Sequence, residues 1–155
     1  MITLTRDSFD PGAELTRFCR GRETTGAIAS FVGLARGEAG QDMALELEAY
    51  PGFTEVEIEG FAAQALARFL LDDVAIIHRH GQIGTGEPIV MVLTAAAHRR
   101  AAFEACDYLM DYLKSRAPFW KREVGQDTPR WIEPTSADHA DLARWATHPS
   151  GDIQP

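Results

Sequence analysis

The sequence predicts an α/β domain in which helices pack on a β-sheet. Residues 45–49 alternate between apolar and polar side chains, as a half-buried strand does. Residues 74–77 and 89–93 are almost continuously apolar, which is typical of strands covered on both faces. In residues 58–69 and 102–113 the apolar side chains instead recur every three or four positions, as on one face of a helix.

The chain length and composition indicate one globular domain. A chain of 155 residues is about one domain long, so we predict a single domain over residues 1–146 and a frayed tail over residues 147–155. Hydrophobic residues make up 45% of the chain, which is too many for a disordered protein. No apolar run is long enough to span a membrane and no secretory leader is evident, so we expect a cytoplasmic protein without a membrane partner.

The charge and the cysteines exclude several classes of function. A net charge of −8 argues against a nucleic-acid partner, because phosphate backbones require a broad basic surface. Any anion site must therefore be local. Cys19 and Cys106 lie far apart without metal-ligand spacing, so we expect two core thiols and no disulfide. We expect neither a metal nor a cofactor.

The first third of the chain predicts two strands and a helix before the alternating strand. Residues 2–5 suit a short edge strand, and Asp10 followed by Pro11 is typical of a helix start. Residues 25–34 then form a strand. The glycine-containing segment 35–42 predicts a long hairpin loop that leads to the alternating strand.

The middle of the chain predicts two helices separated by two buried strands. Thr54 with Glu57 three positions on is a capping-box signature for a helix that runs to about Leu70. Its apolar face comprises Ile58, Phe61, Ala62, Ala65, Leu66 and Phe69. Segment 84–88 separates the two apolar strands. The second helix buries Ala102, Cys106, Leu109 and Leu113 and is stopped by Pro118.

The remaining chain predicts a strand over residues 119–124 and a short helix over residues 138–145. This arrangement places Lys114 at the end of a helix and Lys121 on the strand that follows. They are the only lysines of the chain, since every other basic residue is arginine or histidine. A lysine amine can lose its proton and act as a base or nucleophile, which a guanidinium cannot do in a protein.

The lysine pair has a functional and a structural interpretation. The nearby cations of Arg116 and Arg122 disfavour a protonated amine by like-charge repulsion, which would help to free a nucleophile. The alternative is that both lysines are solvated surface groups and that Lys114 only complements the helix dipole. The residues by themselves slightly favour this structural alternative.

A second candidate site lies at the start of the predicted helix after the second buried strand. His98, Arg99 and Arg100 occur there, where backbone N–H groups and the helix dipole already favour a phosphate or carboxylate. Positive side chains are otherwise unfavourable at a helix N-terminus. Ion pairing with surface carboxylates such as Glu104 is an equally good explanation.

Two further groups of residues carry weaker signals. His78 and His80 flank Arg79 at a strand end, and hydrogen-bonded structural histidines are the better interpretation because no metal-ligand spacing accompanies them. Arg36 lies at the mouth of the predicted hairpin loop, where a single arginine is most often a surface ion pair.

Six motifs, taken in order, resemble the large, catalytic subunit of molybdopterin synthase. They cover roughly residues 24 to 133: Phe31-Val-Gly-Leu-Ala-Arg36, Leu47-Glu-Ala-Tyr-Pro-Gly-Phe-Thr-Glu55, Ile77-His-Arg-His-Gly81, Ala97-His-Arg-Arg-Ala-Ala-Phe-Glu-Ala105, Met110-Asp-Tyr-Leu-Lys-Ser-Arg-Ala-Pro-Phe-Trp-Lys-Arg-Glu123 and Arg130-Trp-Ile-Glu133.

The resemblance implies a fold and an assembly. The fold would be an α+β hammerhead type with a mainly antiparallel sheet and helices packed on it. The subunit would form a homodimer with a small ubiquitin-like sulfur carrier at each end, a heterotetramer. The carrier's C-terminal Gly-Gly thiocarboxylate would give sulfur to cyclic pyranopterin monophosphate and so form the molybdopterin dithiolene.

The resemblance also implies roles for individual residues. Lys114 and Lys121 match the catalytic lysines, while Arg36, His98 and Arg99 match the substrate's anion pocket. We add Arg116, which lies between the lysines, to the substrate-binding set, and expect the two amines to lie over a pocket whose candidate wall residues are His98, Arg99 and Arg36. Our hypothesis makes Lys114 the principal acid, base or transient covalent group, with Lys121 supporting the carrier's tail.

Two departures and one rival function accompany the resemblance. Ala35 replaces a residue that is more often β-branched in the family, and loop 37–42 is generic, so the contribution of that loop is open. Arg100 is equally well explained as surface charge. The rival function is a non-catalytic anion-binding or scaffold module on the same fold, which could tolerate arginine at both lysine positions.

Overall fold

This computed structural model describes residues 1–36, 44–50, 52–124 and 130–146. They form two four-stranded sheets, with helices packed on the first of them. The strands are β1 Ile2–Thr5, β2 Ala27–Leu34, β3 Ala44–Ala49, β4 Asp73–Arg79, β5 Gly81–Gly84, β6 Pro88–Ala96, β7 Phe119–Val124 and β8 Arg130–Ile132. The helices are α1 Pro11–Cys19, α2 Phe53–Phe69, α3 Arg99–Ser115 and α4 Ser136–Ala143, followed by a 3-10 turn, Arg144–Ala146.

The first sheet has the strand order β1-β4-β6-β2 and is covered on both faces. Strand β1 runs parallel to β4, and the other neighbours are antiparallel. Ile76 and Val92 pack in the core formed with helices α2 and α3, whereas Ile77 and Met91 pack with Phe18 of α1. Burial on both faces explains why β4 and β6 are almost continuously apolar, and it confirms their prediction.

The second sheet has the order β5-β3-β7-β8 and is antiparallel throughout. Leu47 of β3 and Ile83 of β5 are fully buried in its small core with Ala35. The two sheets and their helices confirm the predicted α+β class with mainly antiparallel strands. Strands β5 and β8 were not predicted, because segments of four and three residues are too short to show an alternating pattern.

Helix α2 begins earlier than its predicted cap. The N-cap is Gly52 at a φ of 81°, and the Glu55 carboxylate accepts a hydrogen bond from its backbone N–H. Thr54 is completely buried, and its hydroxyl accepts from Tyr50 N at 2.9 Å and donates to Pro118 O at 3.3 Å. The predicted capping box of Thr54 and Glu57 is therefore wrong, because Gly52 takes the left-handed conformation that lets the helix start before Thr54.

The cysteines differ in their burial. Cys106 on α3 is buried, as predicted, and burial raises the pKa of its thiol to about 11. Cys19 ends α1 and is exposed, so its predicted place in the core is wrong. The reason is helical geometry, since Phe18 is the residue of that turn that faces the sheet.

Several other predictions can be compared with the described residues. Asp10 caps α1 through hydrogen bonds from Gly12 N and Ala13 N, as predicted. Helix α2 ends at Phe69, but Leu66 of its predicted apolar face is exposed. The loop at 37–42 and the tail at 147–155 lie outside the described residues, and the domain bounds stay a prediction. None of the described helices has the length and apolar character needed to cross a membrane.

Candidate active site

Lys114 lies in the last turn of α3 and reaches into solvent. Its side chain is 59% exposed, and Nζ lies 3.4 Å from Oδ1 of Asp138 on helix α4. The preceding residue, Leu113, is buried and holds this turn against the core. The amine is therefore accessible to a ligand while its backbone is fixed.

Lys121 lies on the next element along the chain. It is the third residue of β7, paired with Leu47 on β3 and with Ile132 on β8. The structure describes its backbone only. The prediction that the two lysines belong to a helix end and the following strand is confirmed, and the convergence of their amines stays a prediction.

The turn that joins the two lysines is anchored at several points. The backbone N–H groups of Arg116 and Ala117 both donate to Tyr112 O, at 2.8 and 3.1 Å. Pro118 O accepts from the buried hydroxyl of Thr54. The Phe119 ring stacks on the ring of His78, with a centroid distance of 3.9 Å. These contacts fix the position of β7 relative to the end of α3.

The histidine of that stack has a structural role, as predicted. His78 is buried on β4, and its Nδ1 lies 2.8 Å from Arg79 O. His80 is half-buried, and its backbone N–H donates to Thr5 O at 2.9 Å. Burial and then the positive charge of Arg6 lower the pKa of His80, which favours its neutral form.

A cluster of exposed side chains surrounds the N-terminus of α3. His98 is the N-cap residue in an extended conformation, and its side chain makes no capping hydrogen bond. The cluster lines a surface cavity of about 480 Å³ and comprises His98, Arg99, Arg100, Phe103 and Glu104. The first turn of α3 contains no acidic residue, so the helix dipole and the guanidiniums together make this end positive.

Within that cluster the two arginines differ. Arg100 Nη1 lies 3.4 Å from Glu104 Oε1, so the surface ion pair considered from the sequence is present. Neither His98 nor Arg99 makes a side-chain hydrogen bond or ion pair with the rest of the described chain. These two side chains are therefore the ones available to an anion.

The lysine end and the histidine end of α3 are far apart within one chain. Arg99 and Lys114 are separated by about 22 Å along the helix axis, at 1.5 Å per residue. The Thr94 hydroxyl donates to Ala102 O near the start of α3. Near the start of β6, Val90 pairs with His78, and His78 stacks on the ring of Phe119, which follows the end of α3. Helix α3 thus runs antiparallel to β6.

Arg36 belongs to the lysine end. Strand β2 pairs with β6 so that Ala27 is opposite Ala96 and Leu34 is opposite Pro88. Arg36 follows Leu34 and is exposed, about 24 Å or more from the His98 end at 3.4 Å per strand residue. The backbone beside it is held by a hydrogen bond from Ala35 N to Glu87 O at 2.8 Å.

The predicted single pocket is therefore wrong for one copy of the chain. Lys114, Arg116 and Arg36 lie toward one end of the first sheet, and His98 with Arg99 lies at the other. The physical reason is the length of α3, which separates residues that are near in the motif order but not in space. All of these side chains are exposed, so each end is free to meet another molecule.

Sequence reasoning missed Asp138, the side chain that contacts Lys114. Its carboxylate also accepts from Thr135 N and Thr135 Oγ1, at 2.8 and 2.7 Å. These two hydrogen bonds, and then the ammonium of Lys114, lower the pKa of Asp138. The spacing Thr135…Asp138 is a capping signature that predicts a helix start, but no local signal shows that the helix packs beside Lys114.

Comparison with known proteins gives a consistent result. Residues 4–116 match the family described as MoaE protein. The molybdopterin synthase catalytic subunit of Caulobacter vibrioides is 63% identical over 145 residues, covering 94% of this chain and 97% of that protein. The corresponding subunit of Mesorhizobium japonicum is 49% identical over 146 residues, covering 93% of this chain and 92% of that protein.

A solved structure shows the same fold. Molybdopterin cofactor biosynthesis protein E from Burkholderia multivorans has a TM-score of 0.80 and 45% identity, with 94% of this chain and 96% of that chain covered. The fold and the residue motifs thus lead to the same group of proteins.

Proposed function

Because the chain belongs to the MoaE protein family, the catalytic subunits of molybdopterin synthase, we propose that it transfers sulfur to cyclic pyranopterin monophosphate. The donor is the C-terminal thiocarboxylate of a small ubiquitin-like carrier, and the product is the molybdopterin dithiolene. Each carrier supplies one sulfur, so two carriers are used for each product. The observation that carries the proposal is the exposed amine of Lys114 on a rigid helix end, with Lys121 on the strand that follows.

The active site requires two copies of the chain. A small substrate cannot contact Lys114 and His98 of one copy, because about 22 Å of helix lies between them. In a two-fold dimer, the N-terminus of α3 from one copy can lie beside the C-terminus of α3 from the other. Each dimer then has two equivalent sites, each with the lysines of one copy and the His98 and Arg99 of its partner.

Exposed apolar side chains support this homodimer. Strand β2 is an outer strand of the first sheet and exposes Phe31 and Leu34. Phe103, next to the His98 cluster, is 65% exposed. Large apolar side chains on the edge strand of a sheet are typical of a surface that a partner covers.

A second apolar surface supports binding of a carrier. Tyr50, Phe53 and Val56 are exposed around the start of α2, and Trp120 is exposed on β7. Trp120 directly precedes Lys121 on β7 and pairs with Glu48 on β3. This surface therefore includes part of the strand that carries Lys121. A carrier bound there has its C-terminal tail within reach of the lysine end of α3.

The chemistry divides among the charged residues. His98 and Arg99 of one copy bind the cyclic phosphate, because guanidiniums and helix N–H groups are good phosphate donors. Arg36 and Arg116 of the other copy hold the anionic thiocarboxylate. Lys114 exchanges the protons that accompany ring opening and sulfur attack, and Lys121 stabilises the developing charge.

The experiment that tests this function is a reconstitution. The protein is incubated with a thiocarboxylated carrier and cyclic pyranopterin monophosphate, and dithiolene formation is measured. We expect product that depends on both the carrier and the protein. A protein that binds the carrier but forms no dithiolene would be the scaffold module, and failure to recover any ubiquitin-like partner in a pull-down would contradict the proposal.

A further inference from the structure

The two oxygens of the Asp138 carboxylate have different partners: one caps helix α4 and the other faces Lys114. Its Oδ2 accepts from the backbone N–H and the hydroxyl of Thr135. Its Oδ1 lies 3.4 Å from Lys114 Nζ, and the side chain is only 17% exposed. Because the cap fixes the carboxylate, little further side-chain entropy is lost when its second oxygen faces the lysine.

Helix α4 is held at this place by contacts that do not involve Lys114. The Ser115 hydroxyl donates to Asp138 O at 3.0 Å. At the other end of the segment, Arg144 Nη2 and Trp145 Nε1 both donate to Asp111 Oδ2 at 2.6 Å. The position of Asp138 relative to the end of α3 is therefore set by the fold and not by the lysine.

The charged side chains around the Lys114 amine differ in whether they contact it. Asp111 lies one turn before Lys114 on α3, but its carboxylate is occupied by Arg144 and Trp145. Arg116 and His139 are exposed, on the cap of α3 and on α4. Asp138 is the carboxylate that contacts Lys114 among the described side chains. A neighbouring carboxylate favours the charged form of an amine.

We propose that Asp138 is a positioning residue that holds the Lys114 amine in a fixed place beside α4 in the resting enzyme. The proposal rests on the proposed function, which assigns proton exchange to Lys114. Asp138 thus sets where the amine lies before it exchanges protons with the reacting groups.

The test measures the reactivity of the Lys114 amine in the purified protein, without carrier or substrate. Amines are acetylated briefly with isotope-labelled acetic anhydride at about pH 8, where lysine is mostly protonated. The protein is then unfolded and fully acetylated with the unlabelled reagent, and the isotope ratio of the Lys114 peptide is read by mass spectrometry. Asp138→Asn removes the counter-charge, and Asp141→Asn on the exposed side of α4 is the matched control.

We expect labelling of Lys114 to rise about two- to fivefold in Asp138→Asn, the range for a partly exposed ion pair. Asp138→Glu and Asp141→Asn should stay near wild type. Ser115→Ala loosens the same contact without changing the charge or the cap, so a smaller rise is expected. It also keeps the test valid if Asp138→Asn proves unstable.

The proposal is overturned if Asp138→Asn labels like the wild type, or if Asp141→Asn or Asp138→Glu rises as much as Asp138→Asn. It is also overturned if Ser115→Ala leaves labelling unchanged. These outcomes do not bear on sulfur transfer, because the measurement needs neither the carrier nor the pterin. Conversely, a failed reconstitution leaves the contact between Asp138 and Lys114 testable.

Discussion

At the scale of residues, the chain separates two kinds of positive charge. Lysine occurs only at positions 114 and 121, and arginine serves elsewhere, including Arg99 and Arg116. An amine can give up its proton during a reaction, whereas a guanidinium keeps its charge. The distribution is what a site needs if it must both bind anions permanently and move protons.

Lys114→Arg tests this distinction directly. The substitution keeps the positive charge at the end of α3 but removes the amine to which we assign proton exchange, so we expect sulfur transfer to fall by about 100-fold or more. Carrier binding should change little. The matched control is Arg20→Lys, an exposed cation that caps α1 on the opposite face of the first sheet. Sulfur transfer near the wild-type rate in Lys114→Arg would show that Lys114 acts by charge alone.

The two cysteines give a second prediction at this scale. Burial raises the pKa of Cys106 to about 11, so at neutral pH the folded protein holds almost no reactive thiolate there. Cys19 is exposed at the end of α1. We expect a thiol-alkylating reagent to modify Cys19 and spare Cys106 until the protein is unfolded, as read by peptide mass spectrometry. Equal modification of both thiols in the native protein would mean that α3 opens readily.

Residue-level prediction succeeded where chemistry was local and failed where it was long-range. The α1 cap of Asp10 and the structural role of His78 were predicted from neighbouring residues, and the joint action of the lysine pair stays a prediction. The contact of Lys114 with Asp138 was not, because 24 positions separate them in the sequence. The burial of Thr54 was missed for the same reason, since its partner Pro118 lies 64 positions away.

At the scale of elements, α3 determines where the candidate residues can act. Its hydrophobic face was predicted, and Ala102, Cys106, Leu109 and Leu113 are all buried. Its 17 residues also separate the His98 end from the Lys114 end, which the motif order alone does not show. Strands β5 and β8 were missed because they are too short to show an alternating pattern, and the partner of β5, strand β3, is distant in the sequence.

The link from β6 to α3 provides a prediction about stability. A Cβ atom at Gly26 would lie 2.1 Å from the carbonyl oxygen of Ala97, next to the N-cap residue His98. Gly26→Ala therefore forces backbone to move, and we expect a loss of about 2 kcal/mol or more in the free energy of unfolding measured by urea denaturation.

Gly60→Ala is the matched control for that measurement. Gly60 lies within α2, and a Cβ atom there meets no neighbouring atom within 4 Å. Because alanine is the better helix former, this variant should be more stable by about 0.5–1 kcal/mol. If Gly26→Ala were as stable as Gly60→Ala, the close approach of β2 to Ala97 would be contradicted.

At the scale of the whole molecule, the fold presents two positive ends on one helix and leaves two apolar surfaces exposed. A net charge of −8 is compatible with anionic substrates, because Arg99 and Arg100 at one end of α3 and Lys114 and Arg116 at the other provide local positive charge. The proposed site needs residues from both ends of α3, and one copy cannot bring these residues together. The account's central claim is therefore that the catalytic unit is the dimer.

The most direct test is a dimer built from two different inactive copies. One copy carries Lys114→Ala and the other carries His98→Ala with Arg99→Ala, each with its own affinity tag, and the mixed dimer is purified through both tags. One of its two sites combines the intact lysines of one copy with the intact His98 and Arg99 of the other. We expect about half of the wild-type rate of dithiolene formation from the mixed dimer, while each parental dimer is inactive. A mixed dimer as inactive as its parents would contradict the shared site.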